Sequence, residues 1–321
     1  MTPPDARWRR RIGNARRENS LKAGAGFLDL KVPGSAVPLM FVAMVASLPG
    51  KAAEWQPLWN NRDFSGWERC LGKPHPSVVL PPRTDGQPRP ANEPLGREND
   101  PLRVFSVVLQ DGEPAIRISG QVFGSIATQR KYSNYHLRLQ IKWGPLKWPP
   151  RDRREWRDSG LLYHAHTPMN QSGRLWPLSL EFQIMEQNLG DFYAVGARSY
   201  ARAGREPGTD ARPLFHYNPS ANLVAFARGA PAGGRCIRGP VVEHPFGKWN
   251  TLELVCLGAD AVHVVNGRVV LRLQDATRID RDAPSPLTAG RIHILSEGAE
   301  LFVRRIELRP ITAVPDHFPP P

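Results

Sequence analysis

Apolar and polar residues alternate with a period of two along most of the chain from residue 55 onward. Tyr135, Leu137, Leu139, Ile141 and Trp143 are separated by His136, Arg138, Gln140 and Lys142. A strand turns successive side chains to opposite faces, so this run predicts a long, half-buried β-strand. Leu180, Phe182 and Ile184 alternate in the same way with Ser179, Glu181, Gln183 and Met185. Shorter runs carry Ile116/Ile118, Val262/Val264 and Ile292/Ile294, and Leu252, Leu254 and Cys256 alternate within residues 249–257. Asn266-Gly267 stands between two apolar runs. It predicts a type I′ hairpin turn, whose two central residues both need positive φ. No long stretch shows the 3.6-residue period of a helix.

Two segments lack this pattern: a proline-rich stretch over 72–103, and a Gly-, Pro- and Arg-rich stretch over 203–248 with a strand expected at 222–228. Loops of this length in a compact domain are usually functional or disordered. Many strands without intervening helices predict antiparallel sheets packed as a sandwich. The 28 glycines and 33 prolines among 321 residues suit the many turns this requires. One sandwich domain is expected over 54–309, followed by an unstructured tail over 310–321.

The net charge of +13 raises the question of nucleic acid, but +6 of it sits in residues 1–53, and no DNA- or RNA-binding motif accompanies the rest. No nucleic-acid partner is therefore expected. That leader begins with Arg7, Arg9, Arg10, Arg11, Arg16 and Arg17, continues into an uncharged, largely apolar run over 36–48, and ends in small residues. This is the order of an export signal. The run is short for a membrane span and contains Pro38, so no stable membrane insertion is expected. An extracytoplasmic protein, periplasmic or secreted, is the expectation; a disordered basic leader is the alternative. Cys70, Cys236 and Cys256 are odd in number. Cys256 falls on a strand's apolar face, which leaves Cys70 and Cys236 as the guess for a disulfide.

Five motifs in order carry a family resemblance. They are Leu58-Trp59-Asn60-Asn61-Arg62-Asp63-Phe64-Ser65-Gly66-Trp67; Asp158-Ser159-Gly160-Leu161; Glu181-Phe182-Gln183-Ile184; Trp249-Asn250 with Gly258 and Val265-Asn266-Gly267; and the stretch from Gly290 to Leu308. Together they resemble the 3-keto-disaccharide hydrolase family over about 55–309. The resemblance implies a concanavalin/laminin-G-like jelly-roll sandwich, a carbohydrate ligand, and cleavage of glycosides oxidised at C3. The chain departs from the family pattern at Leu295, where many members have Gln, at Glu297, where they have His, and at Asp158, where they have Asn.

A 3-keto sugar is labile because the ketone acidifies the C2 proton and the C1 substituent lies β to it. Cleavage by elimination then needs a base at C2, a group that stabilises the enolate oxygen and an acid for the leaving oxygen. Glu181 is the first candidate, since it shares the polar side of its strand with Gln183. His164 and His166 form an H-x-H that alternation places on one strand face. With Glu181 they would make a His₂–carboxylate metal set. Glu297, in Ser296-Glu297-Gly298, is a candidate loop carboxylate. The catalytic expectation is thus Glu181, His164 and Glu297, with Gln183, Trp156, Trp176, Tyr193 and His166 contacting substrate. Trp156 and Trp176 are preferred over Trp143 and Trp148 because indoles outside the core stack on sugar rings. A divalent metal, Ca²⁺ or a transition metal, is a candidate cofactor. The Glu186–Asp191 turn is either a Ca²⁺ loop or a self-capped turn. The run Arg151, Arg153, Arg154, Arg157 reads as a solvated loop.

Three functions compete on this fold: a glycoside-cleaving enzyme, a non-catalytic carbohydrate-binding module, and a surface protein without a small ligand. A convergent titratable cluster would favour the first, and an open aromatic platform the second.

Overall fold

In the computed structural model, residues 53–318 are described, except 84, 88–91, 152–153, 172, 208–212 and 281–282. The leader over 1–52 therefore lies outside the described residues. The described chain contains strands and no α-helix, and two antiparallel sheets carry it. Among the described residues no helix is long and apolar enough to cross a membrane.

The front sheet has eight strands, in the order Arg235–Cys236, Phe192–Val195, Ser179–Met185, Asp158–Ala165, Arg291–Ser296, Gly124–Thr128, Trp67–Leu71 and Gly96–Arg97. The back sheet has twelve, centred on Asn250–Leu257, Tyr135–Lys147 and Ala299–Pro310. The two pack face to face. Leu161, Phe182, Ile184, Ile126 and Ile294 from the front meet Leu137, Leu139, Leu252, Leu254 and Val303 from the back in one buried cluster. The architecture is a jelly-roll β-sandwich, as the alternation and the resemblance predict.

The expected strands are present. Tyr135–Lys147 buries Tyr135, Leu137, Leu139, Ile141 and Trp143, and Trp143 is thus a core residue. Asn266 and Gly267 both take positive φ, 48° and 76°, between Asp260–Val265 and Arg268–Arg278. Asn266 further fixes its turn by accepting from the Thr251 amide and donating to Asn250 and the Val242 carbonyl.

Two expectations are corrected, for residues 311–318 and for the cysteines, and one alternating pair is buried on an unexpected face. Val262 and Val264 are buried, but not between the sheets. They lie on the outer side of the back sheet with Val255, covered by Phe318. His263 takes the inward position, stacked on Phe182 with ring centroids 4.3 Å apart. Residues 311–318 are correspondingly ordered over that face: Phe318 is buried, its carbonyl accepts from Arg272 at 2.9 Å, and the Ile311 amide donates to the Asn134 carbonyl. Finally, all three cysteines are free and buried, so Cys70 and Cys236 form no disulfide.

Candidate active site

The strand Ser179–Met185 turns Leu180, Phe182 and Ile184 into the core, which sends Glu181 and Gln183 to the outer face of the front sheet. Register then fixes their neighbours. Glu181 lies between Leu162 and Tyr193, and Gln183 lies opposite Gly160. Gly160 is what makes room for the carboxylate: a Cβ there would stand 2.2 Å from Glu181 Oε1 and 2.9 Å from Leu295 Cδ1. Asp158 begins the same strand two residues before Gly160, hence on the same face. Glu297 follows the adjacent strand Arg291–Ser296, in a turn held by Ser296 Oγ donating to the Val122 carbonyl and by Gly298 at φ 80°.

Asp158, Glu181 and Glu297 thus converge from three chain segments, and one cation ties the Asp158 carboxylate to the Glu297 backbone. Arg151 donates to Asp158 Oδ2 at 2.7 Å, to the Glu297 carbonyl at 2.9 Å and to the Trp156 carbonyl at 3.2 Å. The three carboxylates keep some accessible surface, yet protein surrounds them closely enough to make ionisation costly. Burial, followed by the nearby Asp158 charge, pushes Glu181 up to about 8. Burial, Asp158 and Glu181 hold Glu297 well above the carboxylate range, opposed by Arg151. Asp158 rises only to about 6, because the Arg151 charge and hydrogen bond offset its burial. Groups of one chemical type are therefore set to different protonation states by their surroundings, the arrangement that acid–base catalysis uses. Oδ1 of Asp158 and Oε1 of Gln183 are buried with no hydrogen-bond partner in the protein, two polar atoms left for a ligand.

The remaining candidates disperse. A bulge in the strand Asp158–Ala165 puts one extra residue opposite Arg291–His293, with His164 at φ 51°. The expected H-x-H alternation is broken there. His164 packs edge-on against Tyr135 and Tyr163 in the interior and faces the Leu287 carbonyl through Nδ1 at 3.1 Å. Burial lowers its pKa to about 4. His166 turns away and sits 3.5 Å from Asp280. His164, His166 and Glu181 therefore do not form a metal set. Among the described residues no group of three His, Cys, Asp or Glu side chains has the geometry to hold an ion. The Ca²⁺ reading of the Glu186–Asp191 turn also fails to fit: Asp191 is taken by Arg235 and Arg238, and Glu186 by Arg157.

Tyr193 stands beside Glu181, with the Arg235 guanidinium 5.5 Å from its ring centre. Trp156 is half exposed (50%) and contributes its carbonyl to Arg151. Trp176 stacks on Phe123 at 6.4 Å. Phe123 in turn lines a cavity of about 490 Å³, mostly apolar, together with Leu175, Pro74, Pro94, Pro149 and Pro150. The carboxylates are not among its lining residues, but they share a wall with it: a Cβ on Gly298, next to Glu297, would lie 3.3 Å from Phe123 and 3.2 Å from Arg151. The expected loop 72–103 therefore has a place in the fold, as one side of this cavity.

The sequence reading missed Arg151, taken for a solvated arginine, and undervalued Asp158, noted only as a departure from a motif. The available signal was the spacing Asp158–Gly160–Leu162, which puts a carboxylate and a gap on one face beside Glu181.

The sandwich and its acidic outer face define a carbohydrate-related domain. The model of the 3-keto-alpha-glucoside-1,2-lyase-like domain matches residues 54–309, and the chain belongs to that family. No curated protein matches the chain. Among solved structures, the chain is similar to a candidate glycosyl hydrolase from Parabacteroides distasonis at 14% identity and TM-score 0.40, covering 80% of this chain and 94% of that one. A second candidate glycosyl hydrolase from the same organism is 18% identical, at TM-score 0.36, with 64% and 90% covered. The carbohydrate-binding module CBM66 from Bacillus subtilis is 10% identical, at TM-score 0.34, with 64% and 91% covered. Likeness at this level carries no information about chemistry.

Proposed function

We propose that this domain cleaves 3-keto-glycosides by elimination across C2–C1 followed by addition of water, and that it works outside the cytoplasm. The observation that carries the reading is the convergence of Asp158, Glu181 and Glu297, with Arg151 paired to Asp158 and with burial and neighbouring charge raising both Glu181 and Glu297.

In the elimination, ionised Glu181 takes the proton from C2. The electron pair passes into the C3 carbonyl as an enolate. The C1–O bond then breaks and the leaving oxygen receives the proton that Glu297 holds. The product is a sugar with a C1=C2 double bond conjugated to the ketone. Glu181, now protonated, and Glu297, now ionised, have the states needed to add water across that bond: Glu297 takes a proton from water as it attacks C1, and Glu181 returns one to C2. Asp158 stays paired with Arg151, and its charge raises both neighbours. Proton transfer by positioned groups of this kind typically contributes about 10²–10⁴-fold. The apolar cavity beside Phe123 suits the leaving aglycone or second sugar. The basic, apolar leader motivates the extracytoplasmic location, which a signal-cleavage assay on the full-length chain would test.

The test incubates the purified protein with a 3-keto-glycoside in D₂O, with EDTA and with added divalent metals in parallel. Cleavage with deuterium entering C2 in wild type, lost in Glu181→Gln, is the expected result. Sugar binding without cleavage under every metal condition would overturn it in favour of a carbohydrate-binding module.

A further inference from the structure

The outer face of the front sheet carries a second polar cluster that the reaction above does not use. Register sets its place. Glu181 pairs with Leu162, Leu162 with His293, His293 with Ala127 and Ala127 with Glu68, so these side chains lie in one row across the sheet. His293 is two strand spacings from Glu181, about 10 Å.

A small cavity of about 100 Å³ opens at this end of the row, lined by Glu68, Arg97, Ser125, Met169, Arg291 and His293 among others. Two of these side chains present polar atoms with nothing to bond. His293 is 3% exposed, and its Nε2 has no partner in the protein; neither has Arg291 Nη2, also buried. The rest of each side chain is fixed. Arg291 Nε donates to the Thr128 carbonyl, and its Nη1 lies 3.3 Å from Glu68. Ser125 Oγ is 2.9 Å from His293 Nδ1 and 2.6 Å from Met169 Sδ. A thioether is a weak acceptor, so the one hydroxyl proton goes to Nδ1, which places the imidazole proton on Nε2. Both unpartnered atoms are then donors. Burial and Arg291 lower the His293 pKa to about 3, which keeps the ring neutral. Arg97 and Arg291 face one carboxylate, Glu68, so the cluster retains a single positive charge.

We propose that this cavity recognises the carboxylate of an acidic sugar, a uronic-acid unit of the substrate whose reacting ring lies over Glu181. Size points the same way. The cavity is small, about 100 Å³, which suits a carboxylate group. The charge calls for one negative group, and two unpartnered donors match two carboxylate oxygens. A ligand of one or two rings reaches both ends of the row. The proposal rests on the reading that the Glu181 face receives a sugar.

Binding decides it without any catalytic step. Full-length protein is titrated by isothermal calorimetry with D-glucuronate, D-glucose, acetate and inorganic phosphate. The expected result is glucuronate binding at least tenfold tighter than glucose or either free anion. In His293→Asn, whose amide can still meet Ser125 but has no group at the Nε2 position, the preference over glucose falls to threefold or less; in Arg291→Gln it falls likewise. Near-UV circular dichroism verifies the fold of both variants, and Ser125→Ala, which frees the tautomer, serves as a third variant if either misfolds. The readout is binding alone, so a failure of the proposed reaction leaves this result standing. Equal binding of glucuronate and glucose, or a preference that survives His293→Asn, overturns the proposal. Acetate or phosphate binding as tightly as glucuronate also overturns it, and shows a free-anion site instead.

Discussion

The Glu181 carboxylate occupies the space that a side chain at Gly160 would fill, with Oε1 2.2 Å from where a Cβ would stand. The glycine on one strand therefore sets the position of the acid on the next. Gly160→Ala is expected to push the carboxylate aside, since the end of a side chain yields more readily than backbone. Overpacking typically costs about 1–3 kcal/mol. Turnover of a 3-keto-glycoside should fall at least tenfold while the melting temperature moves by only a few degrees. An unchanged kcat would show that the position of Glu181 is immaterial.

The pH dependence of turnover follows from the same residue. Glu181 must be ionised to take the C2 proton, and burial with the Asp158 charge holds it near 8 rather than its usual 4.5. The rate should therefore climb with pH through neutrality toward 8, where an ordinary carboxylate base would already have levelled off. Its effect on stability has the opposite sense. The folded form binds the proton more tightly, so this group's contribution to stability is full below about 4.5 and falls as pH rises toward 8. Chemical denaturation from pH 5 to 8 should show a shallower decline in Glu181→Gln than in wild type.

His263 supplies the contrary slope at acid pH. It is buried between the sheets, accepts from the Tyr163 hydroxyl at 3.1 Å and faces the Gly190 carbonyl at 3.1 Å, and burial lowers its pKa to about 3. The unfolded chain binds a proton there from about 6.5 downward, so stability is lost as pH falls toward 3. His263→Phe should lessen that acid sensitivity. At neutral pH it should destabilise, because the Tyr163 hydroxyl is left buried without its partner, at about 1–3 kcal/mol. Urea midpoints at pH 4 and pH 7 give both quantities.

Removing residues 311–321 should uncover Val255, Val262 and Val264, which Phe318 now covers. Loss of a buried phenylalanine costs about 3–5 kcal/mol in a closed core, and this smaller cluster sets an expectation toward the lower end. A truncated protein with a lower melting temperature and faster aggregation is the expected outcome; one as stable as the full chain would mean the tail is not bound.

Cys70, Cys236 and Cys256 should resist a thiol reagent in the native state and react together on unfolding, since all three are buried and free. Burial also raises each thiol's pKa, that of Cys256 to about 12, which further suppresses the reactive thiolate. Mass spectrometry after labelling counts the modified residues.

Sequence alone determined the clearly alternating strands, the Asn266-Gly267 turn and the partition of Glu181 from Phe182. Each depends on interactions between near neighbours or on the two-residue period of an extended chain. The period says which residues share a face, but not which face is the core or what covers the other. Val262 and Val264 alternate like core residues and are buried, yet under Phe318 on the far side of the sheet. A single extra residue is enough to reverse the period, as the bulge at His164 does, and it takes apart the histidine pair that alternation promised. The acidic site itself depends on contacts between distant parts of the chain. Asp158 and Glu297 are far apart in sequence, and Arg151 and Glu181 lie on segments with unrelated patterns. Only the sheet's strand order brings Arg291–Ser296 beside Asp158–Ala165, and with it Glu297 to Arg151 and the shared electrostatics that set the three carboxylates apart.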